Sequence, residues 1–186
     1  MIYIKNIEEP SLNVREVLRY AGVNTNDEKM KDTILSLAEE VKSAFTYKVC
    51  YSIFPVNIKG ENIEFSTISL KSEKLAESLK SSSHILVFAA TVGVGIDRLI
   101  NKYSYTSPSK AFLLQALGSE RIESLCNAFC KDIKGVATHR FSPGYRDLSL
   151  DCQKDIFALL DCRKNIGLTL NDSMIMSPMK SVTAFV

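Results

Sequence analysis

The eight residues His84–Thr91, HILVFAAT, constrain the fold more than any others in the chain. Their six consecutive apolar side chains leave no alternation of apolar and polar positions, which a strand with one wet face would show. The run is too dense for a surface strand and belongs in the interior. Gly93-Val94-Gly95 follows, and IDRLINKY then reads as a helix. A glycine pair at such a junction is also where a dinucleotide-binding turn sits. Here the third glycine position of that fingerprint is Arg98, and the next segment is a long helix rather than a second strand. We therefore read Gly93-Val94-Gly95 as a tight structural turn.

Around this strand the chain alternates between two periods. SLNVREVLRYAG, after Pro10, places Leu12, Val17, Leu18 and Tyr20 for a short helix that Gly22 ends. In NDEKMKDTILSLAEEVKSAF the apolar Met30, Ile34, Leu37, Val41 and Phe45 recur at helical spacing behind an Asn26 cap and an acidic first turn. YKVCYSIFPVNI and IEFSTI, joined by KGEN, read as a β-hairpin, and residues 70–81 return to helix. A long helix is expected over about residues 107–134 with Leu114, Leu117, Leu125 and Phe129 inward. VATHRF reads as a strand, LSLDCQKDIFALLD as a helix, and MIMSPMKSVTAFV as a terminal strand or bent strand pair. One α+β domain spanning residues 1–186 is the economical reading.

Composition excludes several functions. The formal charge is +2, from 23 basic and 21 acidic residues spread along the chain, so no basic face is expected for nucleic acid or anionic lipid. MIYIKNIEEP carries acids where a signal peptide needs an apolar stretch, and no run approaches the roughly 20 apolar residues of a membrane span. A cytoplasmic protein is expected. The cysteines Cys50, Cys126, Cys130, Cys152 and Cys162 are odd in number and include no C-x-x-C pair. Cys126 and Cys130, one helical turn apart, lack the further ligands that zinc wants and read as small apolar residues of a buried helix face.

Two segments beyond the glycine turn could carry chemistry. Glu120 and Glu123, in LGSERIESLCNAF, lie three apart on one helix face, which by default is a solvated one. RFSPGY, residues 140–145, is more pointed. Arg140 offers a planar fork suited to a carboxylate, and Pro143-Gly144 is the pair a type II turn requires. Tyr145 could lay its ring on an apolar or cationic group such as a sulfonium. These residues by themselves describe either a small zwitterion or carboxylate site or a structural turn.

Arg140-x-x-x-Gly144-Tyr145, an amphipathic helix and then GLTLNDSMIMSPMKSV together resemble the C-terminal activation domain of cobalamin-dependent methionine synthase. They are closer still to free-standing proteins built from that domain. VREVLRYAGV, FAATVGVGIDRLI and ALGSERIESLCNAF extend the resemblance upstream in the same order. It implies a mainly antiparallel, bent sheet with long helices. It also implies an S-adenosylmethionine site formed by Arg140, Pro143, Gly144 and Tyr145, with Glu123 of the long helix as a hydrogen-bond acceptor. The sequence departs from the family at Arg146-Asp147-Leu148, where Pro-Ala-Cys is usual, and at Leu170-Asn171-Asp172-Ser173, where the family has Leu-Thr-Glu-Ser. The family's N-terminal aspartate has its nearest counterpart in Asn13, and that contact is not carried over.

The resemblance further implies that the chain is a subunit or domain of a methyltransferase rather than a complete enzyme. It would present the methyl donor while cob(II)alamin on a partner methionine synthase is reductively methylated, the electron coming from a flavodoxin-like donor. Cobalamin would reach it only through that partner, because base-off binding needs Asp-x-His-x-x-Gly. His84 and His139 both lie outside such a motif and read as strand residues. The alternative is a non-catalytic module that senses S-adenosylmethionine or docks on another corrinoid protein.

Overall fold

The computed structural model describes residues 1–133 and 139–186. Strand β6 (His84–Thr91) runs through its centre, antiparallel to β2 (Lys48–Pro55) on one side and to β9 (Ser181–Phe185) on the other. β1 (Tyr3–Asn6) pairs with the outer side of β2, giving the order β1-β2-β6-β9. All six apolar residues of β6 are at most 3% exposed. Leu86, Phe88 and Ala90 enter one core and Ile85, Val87 and Ala89 the other, as strand alternation requires. The run lacks a polar phase because neither face of β6 meets water.

The first core is closed by helices α1 (Val14–Tyr20), α2 (Glu28–Val41), α4 (Val94–Thr106) and α5 (Pro108–Asp132). Leu114, Leu117, Leu125 and Phe129 of α5 are buried in it, Phe129 against Phe88 and Tyr51. The second core is closed by the meander β3 (Asn57–Lys59), β4 (Asn62–Phe65) and β5 (Ile68–Lys71), by α3 (Glu73–Leu79), and by α6 (Cys152–Leu160) and α7 (Cys162–Ile166). A small hairpin, β7 (Thr169–Leu170) with β8 (Met176–Ser177), leads into β9. The architecture is α+β, with antiparallel pairing in every sheet.

Most of the expected elements are present with shifted borders. α2 is capped by Asp27, whose carboxylate accepts from Met30 N at 2.9 Å, rather than by Asn26. The hairpin's first arm is divided: Lys48–Pro55 belongs to the main sheet and only Asn57–Lys59 pairs across the Gly60-Glu61 loop. Pro55 lacks the N–H that a continuing ladder would use. Residues 68–71 form a strand because Ile68 and Leu70 alternate with exposed Ser69 and Lys71, and α3 starts after the Ser72 cap. The helix expected from residue 148 begins at Cys152, and left-handed Asp161 separates it from α7. Of the VATHRF strand, residues 136–138 lie outside the described residues, and Phe141 alone makes a bridge, to Phe185. His84 opens β6 as expected, its ring against the Ser83 hydroxyl, whereas His139 lies outside any strand and packs edge-on to Phe141.

Gly93-Val94-Gly95 is the expected strand-to-helix turn. A Cβ on Gly95 would stand 2.2 Å from the Ala44 carbonyl oxygen, and one on Gly93 would stand 2.3 Å from Thr46 Oγ1. The start of α4 is thus pressed against the backbone that follows α2. The five cysteines are free and buried, and burial pushes the Cys126 and Cys130 thiols up. Among the described residues no helix is long and apolar enough to cross a membrane. Gly95→Ala is expected to lower folding stability by about 2 to 3 kcal/mol through overpacking against backbone. Urea unfolding would read this as a lower midpoint with unchanged slope; an unchanged midpoint would show that the contact with Ala44 does not restrain the turn.

Candidate functional site

RFSPGY is fastened to the sheet at its second residue. Phe141 and Phe185 exchange both backbone hydrogen bonds, Phe141 N to Phe185 O at 2.9 Å and Phe185 N to Phe141 O at 2.8 Å. Phe141 points into the second core, so Arg140, one residue earlier, turns to the other face, where α5 lies. There Arg140 Nη2 donates to Glu123 Oε2 at 2.7 Å and Nη1 to Asn127 Oδ1 at 2.6 Å. Glu123 and Asn127 are four apart and share one face of the helix. The Arg140 side chain is 16% exposed and that of Glu123 44%.

Downstream, Tyr145 N donates to Ser142 O at 3.0 Å, closing a turn over Pro143-Gly144. Gly144 has φ +79°, the value a type II turn needs at its third residue, so the predicted turn is present. Tyr145 is half exposed. Arg146 is also left-handed, with φ +55° and its guanidinium 5.3 Å from the Tyr145 ring centroid. Asp147 accepts from Ser72 Oγ at 2.8 Å and from Lys74 N at 3.2 Å, at the start of α3, and these hydrogen bonds hold its carboxyl below the usual carboxylate range. Leu148 is buried in the second core. Asp147 and Leu148 thus anchor the far side of the loop. Asp172 lies at the exposed β7–β8 turn, where Asn171 Oδ1 accepts from Ile175 N at 2.9 Å.

The acidic face of α5 divides into two parts. Glu120 is buried, not solvated as expected. Arg121 grips it through Nε at 2.6 Å and Nη2 at 2.9 Å, while Ser124 Oγ and Asn13 N also donate to it. Arg121 reaches on to the Pro10 and Ser11 carbonyls at 2.8 and 3.0 Å, tying the start of α1 to α5. Glu123 instead faces a groove of about 360 Å³ between these helices, lined by Asn13, Glu16 and Tyr20 on one wall and Ser124 and Asn127 on the other. Burial, followed by the Glu123 charge, pushes the Tyr20 phenol up.

The fold therefore brings Arg140 into contact with Glu123 and Asn127, which themselves line a groove of small-molecule size. Pro143, Gly144 and Tyr145 form the turn that follows in sequence, and none of them lines the groove. Asn127 and Tyr20 were missed by sequence reasoning. The i,i+4 spacing from Glu123 is the signal that could have found Asn127, whereas Tyr20 had been assigned to an apolar helix face.

No family model matches the chain, and no curated protein matches it. Among solved structures it resembles the crystal structure of the MetH reactivation domain bound to AdoHcy, with a TM-score of 0.75 and 16% sequence identity. The likeness covers all of this chain and 77% of that one. At this identity it is a likeness of fold.

The Glu120–Arg121 pair yields a test of how the groove is held. Arg121→Met is expected to destabilise the protein by about 3 to 5 kcal/mol, because it leaves Glu120 buried without its counter-charge. Adding Glu120→Gln should recover much of the loss. If thermal unfolding finds the double variant no better than the single one, the pair is not what joins α1 to α5.

Proposed function

We propose that the chain binds S-adenosylmethionine at the Arg140–Glu123 end of the α1–α5 groove. There it would present the ligand's methyl group for reductive methylation of cob(II)alamin on a partner cobalamin-dependent methionine synthase. The observation that carries this reading is the contact between the two charged residues that the family resemblance assigns to the ligand, 2.7 Å apart beside a groove. Further support comes from the fold, shared with a domain whose crystal structure is bound to AdoHcy.

The donor set fits the ligand. A free α-amino acid head carries a carboxylate and an ammonium, and Arg140 and Glu123 offer one complementary charge to each. On binding, the carboxylate takes a position on the Arg140 fork and the ammonium faces Glu123, so that one ion pair becomes two with no uncompensated charge. Asn127 keeps its hydrogen bond to Arg140 and holds the guanidinium plane. Gly144 lets backbone approach the ligand, and Tyr145 supplies a ring beside it. When bound, S-adenosylmethionine supplies an electrophilic sulfonium methyl group, and the reducing electron comes from a flavodoxin-like protein. The chain's own work is positioning, charge matching and shielding from water, which needs no nucleophile or general base.

Calorimetric titration with S-adenosylmethionine should show binding that Arg140→Ala weakens by about 2 to 3 kcal/mol, the scale of a lost charge-assisted pair. Equal affinity in parent and variant would remove Arg140 from the site. The protein is then mixed with a partner synthase, cob(II)alamin, a low-potential reductant and S-adenosylmethionine while the cobalt spectrum is followed. Appearance of methylcobalamin supports reactivation; intact ligand binding without it leaves the non-catalytic sensing or docking role.

A further inference from the structure

Two of the buried cysteines, which the proposed function leaves unused, meet across the second core. Cys50 lies in the middle of β2, opposite Ile4 of β1 and Ala89 of β6, with its side chain in that core. Cys162 opens α7 and enters the same core from the other side. α7 packs on β2 and β6, where the small side chains of Cys50 and Ala89 let a helix approach the sheet closely. Both cysteines are fully buried, and their thiols hydrogen-bond one another across this contact.

The two sulfurs are not equivalent. The hydrogen bond from Cys162 holds the Cys50 thiol below its ordinary value, and that same bond, with burial, pushes the Cys162 thiol up. The pair therefore ionises first at Cys50, while Cys162 keeps its proton and donates it. A thiolate is the nucleophile of cysteine chemistry, and here a second thiol stands beside it to complete the reaction. The other three cysteines differ. Cys126 and Cys130 lie in the first core and are pushed up by burial. Cys152, pushed up by burial to about 12, donates to Ser149 O at 2.9 Å. Access to the pair comes through α7, which has five residues and is bounded by left-handed Asp161 at φ +43° and Gly167 at φ +71°. Such a short helix can open locally without breaking the sheet.

We propose that Cys50 and Cys162 form a peroxide-sensitive dithiol, oxidised to a disulfide that ties α7 to β2 within the native fold. The Cys50 thiolate attacks one oxygen of hydrogen peroxide and the O–O bond breaks. Hydroxide leaves and takes up the proton that Cys50 released, and Cys50 becomes a sulfenic acid. Cys162 Sγ then attacks the Cys50 sulfur, its proton and the sulfenic hydroxyl depart as a second water, and the S–S bond forms. Two thiols lose two hydrogens, and one hydrogen peroxide is reduced to two waters. The bond closes more than half of the chain into a loop, and neither cysteine lines the α1–α5 groove.

The test uses the full chain with hydrogen peroxide as the oxidant. After exposure and quenching, the remaining thiols are alkylated in denaturant and the digest is read by mass spectrometry. The expected product is one intramolecular Cys50–Cys162 crosslink, with Cys126, Cys130 and Cys152 alkylated. The oxidised chain should unfold about 5 to 10 °C above the reduced one, and dithiothreitol should reverse the shift. Cys162→Ala should instead accumulate a Cys50 sulfenic acid that dimedone traps, whereas Cys50→Ala should leave Cys162 reduced. A folded parent that keeps all five cysteines alkylatable, a crosslink between other cysteines, or a Cys50–Cys162 bond that lowers the unfolding temperature would overturn the proposal. These last readings are made on the unsubstituted chain, so they stand even where a variant fails to fold.

Discussion

The structure depends on one strand that has no wet face. Because β6 is apolar at six successive positions, the chain has to build a covering layer on each side of the sheet, and no smaller arrangement would remove that surface from water. At about 25 cal/mol per Å² of apolar surface, leaving either face bare would forfeit several kilocalories per mole, comparable with the net stability of a domain. Helices α1, α2, α4 and α5 on one side, and the meander with α3, α6 and α7 on the other, occupy opposite faces for this reason. The same alternation sorts Phe141 to one core and Arg140 to the other face, so the position of the charged fork follows from the pleat of the sheet.

What could be read from the sequence was whatever expresses itself locally. The period of α2, the inward residues of α5, the density of β6 and the Pro143-Gly144 turn each depend on a few neighbouring side chains, and each was legible. Features that depend on distant partners were not. Glu120 looks like a surface acid until Arg121, Ser124 Oγ and the distant Asn13 N are seen to donate to it. The division of the first hairpin arm is decided by which sheet offers β2 a partner, and pairing with β6 over eight residues outweighs continuation into β3. β1, four residues long and starting at Tyr3, gives too short a signal to stand out.

The candidate site shows the same boundary. Arg140, Gly144 and Tyr145 sit in one recognisable hexapeptide, and Glu123 is linked to them by family resemblance. Their arrangement is tertiary, because it requires α5 to lie on the Arg140 side of the sheet edge. Asn127 and Tyr20 border the same groove from ALGSERIESLCNAF and VREVLRYAGV, where neither was given a role from sequence. The replacement Arg146-Asp147-Leu148, which as sequence is only a departure, becomes intelligible once Asp147 is seen at the start of α3 and Leu148 in the core.

The loop that carries RFSPGY is held at two abutments, the Phe141–Phe185 bridge in the sheet and Asp147 on the start of α3. Only residues 142–146 lie between them, and internal hydrogen bonds already shape that span. Such a loop has little backbone freedom left to surrender when a ligand arrives. The entropic toll of association falls mainly on side chains, so contacts made there translate into affinity with less loss than on an untethered loop. The corollary is intolerance: if the loop seats the proposed ligand, its fixed span would favour a ligand of one length, and discrimination by size would come from the scaffold as much as from the residues in contact.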